Sequence, residues 1–169
     1  MVENLSSKAP RIKRKRPRIV SGKLVIGWRE WLSLPDLGVD RIKAKIDTGA
    51  RTSALHAFDV EVFSRDGQKC VRFSIHPTQR DDQECVVTEA PLLEWREVRD
   101  SGGNLSQRPV IMTVVEIGPI MWPIEVTLIN RDEMGFRMLI GREAIRGHLL
   151  VDAGRSFTMG DRRHASQRG

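Results

Sequence analysis

Only two cysteines, Cys70 and Cys85, occur among 169 residues. That excludes a disulfide framework and makes reduced thiols, as in the cytosol, the default. The sequence leaves open whether the two face each other across a hairpin. No apolar run approaches the roughly 18 residues of a membrane-crossing helix, and Met1-Val2-Glu3-Asn4-Leu5-Ser6-Ser7 lacks the apolar core of a secretory leader. A cytoplasmic protein without membrane contact is therefore expected. There is no His-Glu-x-x-His, and His56, His76, His148 and His164 are scattered. There is no Gly-x-x-x-x-Gly-Lys-Ser/Thr loop for nucleotide phosphates. The expectation is no metal and no cofactor. Internal repeats and long helical periods are also missing, which disfavours a parallel α/β sheet.

What is present is a folded chain, with 40% hydrophobic residues. Its net charge of +6 is unevenly placed. Residues 1–22 hold seven basic side chains and one acid, while the remainder has 21 of each sign. The basicity therefore belongs to an N-terminal tail (1–22), expected to be disordered, which could contact RNA or a ribosome electrostatically. No aromatic residue interrupts Lys13-Arg14-Lys15-Arg16-Pro17-Arg18, so base stacking is not expected there. A domain over 23–160 follows, and then a polar tail over 161–169.

Short alternating stretches dominate the domain. Strands are expected at 23–28, 40–46 and 58–62, with a hairpin turn at Asp66-Gly67. Residues 31–38 read as a loop because Pro35 and Gly38 break regular structure. Extended pieces are expected at 85–87 and 91–98, then a pair over 108–117 and 121–129 joined at Gly118-Pro119. A short strand at 137–140, a helix of about two turns at 142–147 and closing strands at 149–151 and 156–158 complete the set. Arg99-Asp100-Ser101-Gly102-Gly103-Asn104 is the most flexible-looking turn. Many short strands with one late helix argue for an all-β closed barrel.

The strand ending at Asp47 carries the chemistry. Ile42, Ala44 and Ile46 point one way, Lys43 and Lys45 the other. Asp47-Thr48-Gly49 then presents a carboxylate at a strand end, with a hydroxyl beside it and a glycine that admits close approach. One carboxylate does not easily hydrolyse an amide. Two sharing a proton can: the ionised one takes a proton from water and the protonated one donates to the carbonyl oxygen. The chain has a single Asp-Thr-Gly, so a second Asp47 would have to come from a two-fold partner.

Asp47-Thr48-Gly49-Ala50 after an alternating strand, with Leu139-Ile140-Gly141-Arg142 some 90 residues later running into a short helix, resembles a retropepsin half-barrel. Gly27-Trp28-Arg29-Glu30-Trp31, Leu34-Pro35-Asp36-Leu37-Gly38 and the block from Ile42 to Ala57 are similar to bacterial retropepsin-like proteins long labelled ATP-dependent zinc proteases. The resemblance spans roughly 22–160. It implies an all-β, dimer-forming retropepsin-like barrel with one short C-terminal helix, acting as an aspartic peptidase. Asp47, Thr48 and Gly49 would be catalytic. Ala50, Arg51, Lys45, Ile140, Gly141 and Arg142 would contact a peptide substrate, and the 99–104 turn would serve as flap. The family's genomic company with glutamate ligases implies a glutamate-rich substrate, which Arg51 and Arg142 suit as carboxylate binders. The rival readings are a non-catalytic binding module for acidic peptides or ribosomal partners, and a zinc hydrolase.

Overall fold

The computed structural model describes residues 16–78, 84–130 and 135–160. Within the described residues, twelve strands and one turn of α-helix run in the order β1 (Ile19–Val20), β2 (Lys23–Gly27), β3 (Arg29–Leu34), β4 (Val39–Asp47), β5 (Ser53–His56), β6 (Phe58–Arg65), β7 (Gln68–Ile75), β8 (Val86–Arg99), β9 (Leu105–Ile117), β10 (Ile120–Ile129), β11 (Met138–Gly141), α1 (Arg142–Ile145) and β12 (Leu149–Asp152).

Six strands close on themselves. The order β10-β5-β11-β4-β3-β9 is completed by β9 pairing β10 over Val110–Ile117. Closure removes the free edges that an open sheet would present. From β9 the sheet continues outward through β8 and β7 to β6. A separate three-stranded sheet is ordered β1-β2-β12. The inside of the ring is apolar, with Ile42, Ala44, Leu55, Ile111, Met138 and Ile140 fully buried.

The all-β closed barrel with one short C-terminal helix is as the sequence implied. The Asp66-Gly67 turn joins β6 and β7 with both residues at positive φ, 51° and 79°, the requirement of a type I′ hairpin. Several local expectations need correcting. Residues 29–34 are a strand, followed by a 3-10 turn at Pro35–Leu37, and not the start of a loop. The pieces at 85–87 and 91–98 are one strand, β8. The helix is a single turn of four residues. Residues 156–158 form no strand. Two elements went unforeseen: β5, and β1 within the stretch assigned to the tail. Residues 1–15 and 161–169 lie outside the described residues, as does His164. Cys70 is buried and Cys85 exposed, both as free thiols, and Cys70 lies opposite Pro91.

The segment after β12 is strapped to the barrel by a buried acid. Glu30 is fully buried on β3, where its side chain accepts hydrogen bonds from Gly27 N–H (2.8 Å), Thr158 N–H (2.9 Å) and the Thr158 hydroxyl (2.6 Å). Charge-assisted bonds of this kind meet much of the cost of burying a carboxylate. Above the strap, Arg29 lies over the rings of Trp28 and Phe157, and Phe157 stacks on Trp31. Gly27 is required here, since a Cβ would lie 2.3 Å from the Arg155 carbonyl oxygen.

Candidate active site

β4 buries Ile42, Ala44 and Ile46 and turns Lys43, Lys45 and Asp47 to its other face. β11 lies parallel beside it, with Ile140 opposite Ile46 and Gly141 opposite Asp47. The strand carrying the acid thus ends level with the strand that launches α1.

The loop from Asp47 to Ser53 is held at both ends. Asp47 Oδ1 accepts from the N–H groups of Gly49 (3.1 Å) and Ala50 (3.2 Å). Among the described residues Oδ2 accepts no hydrogen bond, and the Asp47 side chain is part-exposed. A Cβ on Gly49 would come within 3.3 Å of Oδ1, so glycine keeps the carboxylate uncrowded. From the far side, α1 spends its first amides on the loop. Arg142 N–H donates to the Ala50 carbonyl at 2.7 Å and Glu143 N–H to that of Arg51 at 3.1 Å. These are donors that a helix start leaves without internal partners. Gly141 N–H donates to Ser53 Oγ at 3.0 Å, and Arg142 Nη1 to the Thr48 carbonyl at 3.3 Å. Gly141 packs against the loop so closely that a Cβ would lie 2.5 Å from the Thr52 carbonyl carbon.

The structure therefore gathers Asp47, Thr48, Gly49, Ala50, Arg51, Gly141 and Arg142 at one place, though not all as free surface. Arg142 is engaged with the loop carbonyl. Ile140 is fully buried beneath the loop and presents no surface to a ligand. Lys45 is exposed on the face of Asp47, while Lys43 packs its ammonium 5.2 Å from the Phe136 ring centre. The Arg51 side chain is 79% exposed, with Glu143 3.9 Å away. The 99–104 turn is internally tied: Asp100 accepts from Gly103 N–H through its carbonyl and from Asn104 N–H through Oδ1. It caps the long β8–β9 hairpin. Asp152 also ends a strand, but its carboxylate accepts from Gly154 N–H and pairs with Arg155 at 3.5 Å, so within the chain it braces a turn.

Beside the loop runs a groove of about 650 Å³, entered at Arg51–Ser53. Its floor is β10, where Trp122 donates its indole N–H to the Ala144 carbonyl and stacks on His148 at 4.8 Å. Its outer wall is β8, where Arg96 forks between Glu94 and Glu125. Those two carboxylates, Glu125 first, raise the Arg96 pKa above its ordinary value. Apart from Arg51, none of these groove residues was a site candidate in the sequence. Their spacing has no motif, because the groove is assembled from five separate elements, β5, β8, β9, β10 and α1. Among the described residues no three His, Cys, Asp or Glu side chains converge as metal ligands would.

A closed β-barrel that presents one Asp-Thr-Gly loop, clamped between a parallel strand pair and a helix start, defines the retropepsin-like fold class. Residues 25–162 match the family model described as the retropepsin-like aspartic endopeptidase RimB, and the chain belongs to this RimB-like family. It is 48% identical over 141 residues to a probable alpha-L-glutamate ligase of Parasynechococcus marenigrum, and 43% identical over 138 residues to one of Shewanella halifaxensis. The matches take in 83% and 82% of this chain but only 30% of each relative's length. A solved structure from Legionella pneumophila, of a protein described as of unknown function, superposes with a TM-score of 0.67 at 26% identity. The superposition covers 80% of this chain and 97% of the other.

Proposed function

We propose that this protein is an aspartic endopeptidase whose working site forms between two copies of Asp47 in a homodimer. The observation that supports this most is the Asp47 loop itself. The six hydrogen bonds described above hold the loop, and the two that reach its part-exposed carboxylate use only one of the oxygens. Such rigidity suits a group that must hold a water in line with a peptide carbonyl. In the dimer one carboxylate takes the water's proton while the other, protonated, donates to the carbonyl oxygen. Thr48 and Gly49 would form the contact between the two loops. The 30% of the relatives that this chain matches leaves most of their length for ligase chemistry, so a peptidase segment is compatible with their names.

The substrate we propose is a glutamate-rich protein tail, met by the exposed Arg51. The relatives' names favour it, since a ligase that adds glutamates makes such tails. Asp47→Asn should abolish hydrolysis of an oligo-glutamate peptide without changing the thermal midpoint by more than a few degrees. Retained turnover by a pure variant would remove the mechanism. Sedimentation of the same preparation tests the dimer, because a strict monomer cannot pair two Asp47 side chains. A strict monomer that still bound acidic peptide would favour the second reading, a binding module without catalysis. The basic tail over 1–22 we propose as an electrostatic contact to RNA or the ribosome, lost at high salt.

A further inference from the structure

Arg29 is held in one orientation without an acid to hold it. Its guanidinium lies 4.6 Å from the centre of the Trp28 ring and 4.9 Å from that of Phe157, and its Nε donates to Ser156 Oγ at 3.2 Å. Phe157 N–H in turn donates to the Arg29 carbonyl at 2.9 Å. The strap after β12, tied down by Glu30 through Thr158, therefore fixes the plane of this one guanidinium. A part-buried arginine fork suits a carboxylate partner. Among the described residues none pairs with Arg29, and its terminal nitrogens stay unmatched.

The same arginine stands beside the strand that carries the acid loop. Arg29 is opposite Lys45 in the β3–β4 ladder, which brings their Cβ atoms to about 5 Å. Lys45 lies two residues before Asp47 on the same face of β4, about 7 Å along the strand. It is exposed and, among the described residues, pairs with no acid either. Two like charges directly opposite each other repel, and an anion between them relieves the repulsion. The rings around them offer little to a nucleotide base. Arg29 covers Trp28 and Phe157, and Arg41 lies 3.6 Å from the centre of the Trp31 ring. The patch therefore suits a carboxylate.

We infer that Arg29 and Lys45 form the seat for an acidic side chain on the residue whose carbonyl is held at Asp47, and so select an acid at the reacting bond. A residue with its carbonyl at Asp47 carries its own side chain within the span to Lys45. The inference rests on the peptidase reading and deepens it, since it names the pair that reads charge next to the chemistry. Arg51, on the other side of Asp47 in the chain, is left for the rest of the acidic run.

A short labelled oligo-glutamate peptide and its all-glutamine counterpart decide it. Binding is read by fluorescence anisotropy on the Asp47→Asn protein at near-physiological salt, so no turnover is needed. The glutamate peptide should bind about tenfold tighter, as charge-assisted bonds to a fixed fork allow. Lys45→Glu and Arg29→Gln, each added to Asp47→Asn, should lower that ratio severalfold. The ratio is the readout because a variant that only loosened the strap would weaken both peptides alike. Lys45 is exposed and unpaired, so its variant carries the test with the fold intact. Lys69→Glu, the same change of net charge at an exposed position on β7, should leave the ratio as it was. Equal affinity for the two peptides, a ratio unchanged by Lys45→Glu and Arg29→Gln, or one lowered as much by Lys69→Glu overturns the inference. Turnover of oligo-glutamate by the wild-type protein tests the peptidase reading separately: binding through this pair without hydrolysis would remove the peptidase and leave the seat.

Discussion

Gly141→Ala tests whether the loop's position depends on β11. A Cβ at Gly141 would sit 2.5 Å from the Thr52 carbonyl carbon, 2.7 Å from its oxygen and 2.8 Å from the Ser53 nitrogen. All three are backbone atoms, so no side chain can rotate away. Restoring an ordinary contact of about 3.4 Å means parting the strands by about 0.9 Å at the tightest point. Overpacking of this kind costs about 1–3 kcal/mol. The shift also stretches the bond from Gly141 N–H to Ser53 Oγ and those from α1 to Ala50 and Arg51, each worth about 1 kcal/mol. A total near 3 kcal/mol lowers the thermal midpoint of a chain this size by about 6–12 °C. Turnover should fall further than stability alone explains, since misplacing a reacting group by about 1 Å costs on the order of 100-fold. The assay pairs urea unfolding with hydrolysis of an oligo-glutamate peptide by the folded dimer. Val71→Ala is the control: Val71 is fully buried on β7, outside the six-stranded ring. It should lose about 2 kcal/mol of stability with kcat unchanged. Gly141→Ala that loses stability yet keeps wild-type kcat would refute the link between β11 and the loop.

Two further outcomes are expected. Glu30→Gln keeps an oxygen for the three donors that converge on Oε1 but removes the charge that strengthens them, and it turns an amide N–H group toward Met159 N–H, which Oε2 faces at 3.4 Å. It should lose about 2–3 kcal/mol, and trypsin should cut faster after Arg155; unchanged cleavage would show that the strap is held by its aromatic contacts instead. Glu89 is paired with Arg72 (2.8 Å) and Arg65 (2.9 Å), and the Arg72 hydrogen bond above all lowers its pKa below the ordinary 4.5. Its stabilisation is complete above the ordinary glutamate range and fades as pH falls through the lowered value. Wild type should therefore resist urea better than Glu89→Gln at pH 7, with the difference closing as pH falls through the lowered value; a gap that persists in acid would refute the pairing.

Period and turn chemistry were strong enough in this chain to reveal most strands and the acid loop. β4 declares itself through Ile42, Ala44 and Ile46, and the β6–β7 turn through Asp66-Gly67. β3 hid because Glu30 occupies an inward position in line with Leu32 and Leu34, while Arg29 and Trp31 occupy the outward ones. A buried charge broke the apolar alternation, and only the donors on the strap, over 120 residues away, explain it. β5 is four residues long and buried on both faces, so it has no alternation to display. The helix was overestimated because Arg142-Glu143 opens a good helical period, which Gly147 at positive φ then ends. Asp47, Gly49, Gly141 and Arg142 were legible as a set because their spacing carries a motif. The groove was not, because Glu94, Trp122 and His148 meet only after the ring closes.

The ring closes through β9 and β10, leaving β6 at the outer end of the sheet and β7 paired only with β6 and β8. The turn at Asp66–Gly67 is therefore the natural port for added chain. A fluorophore, an affinity handle or a whole second protein spliced in there would hang from the last rung of the sheet. Neither the β9–β10 closure nor the Asp47 loop would bear its weight.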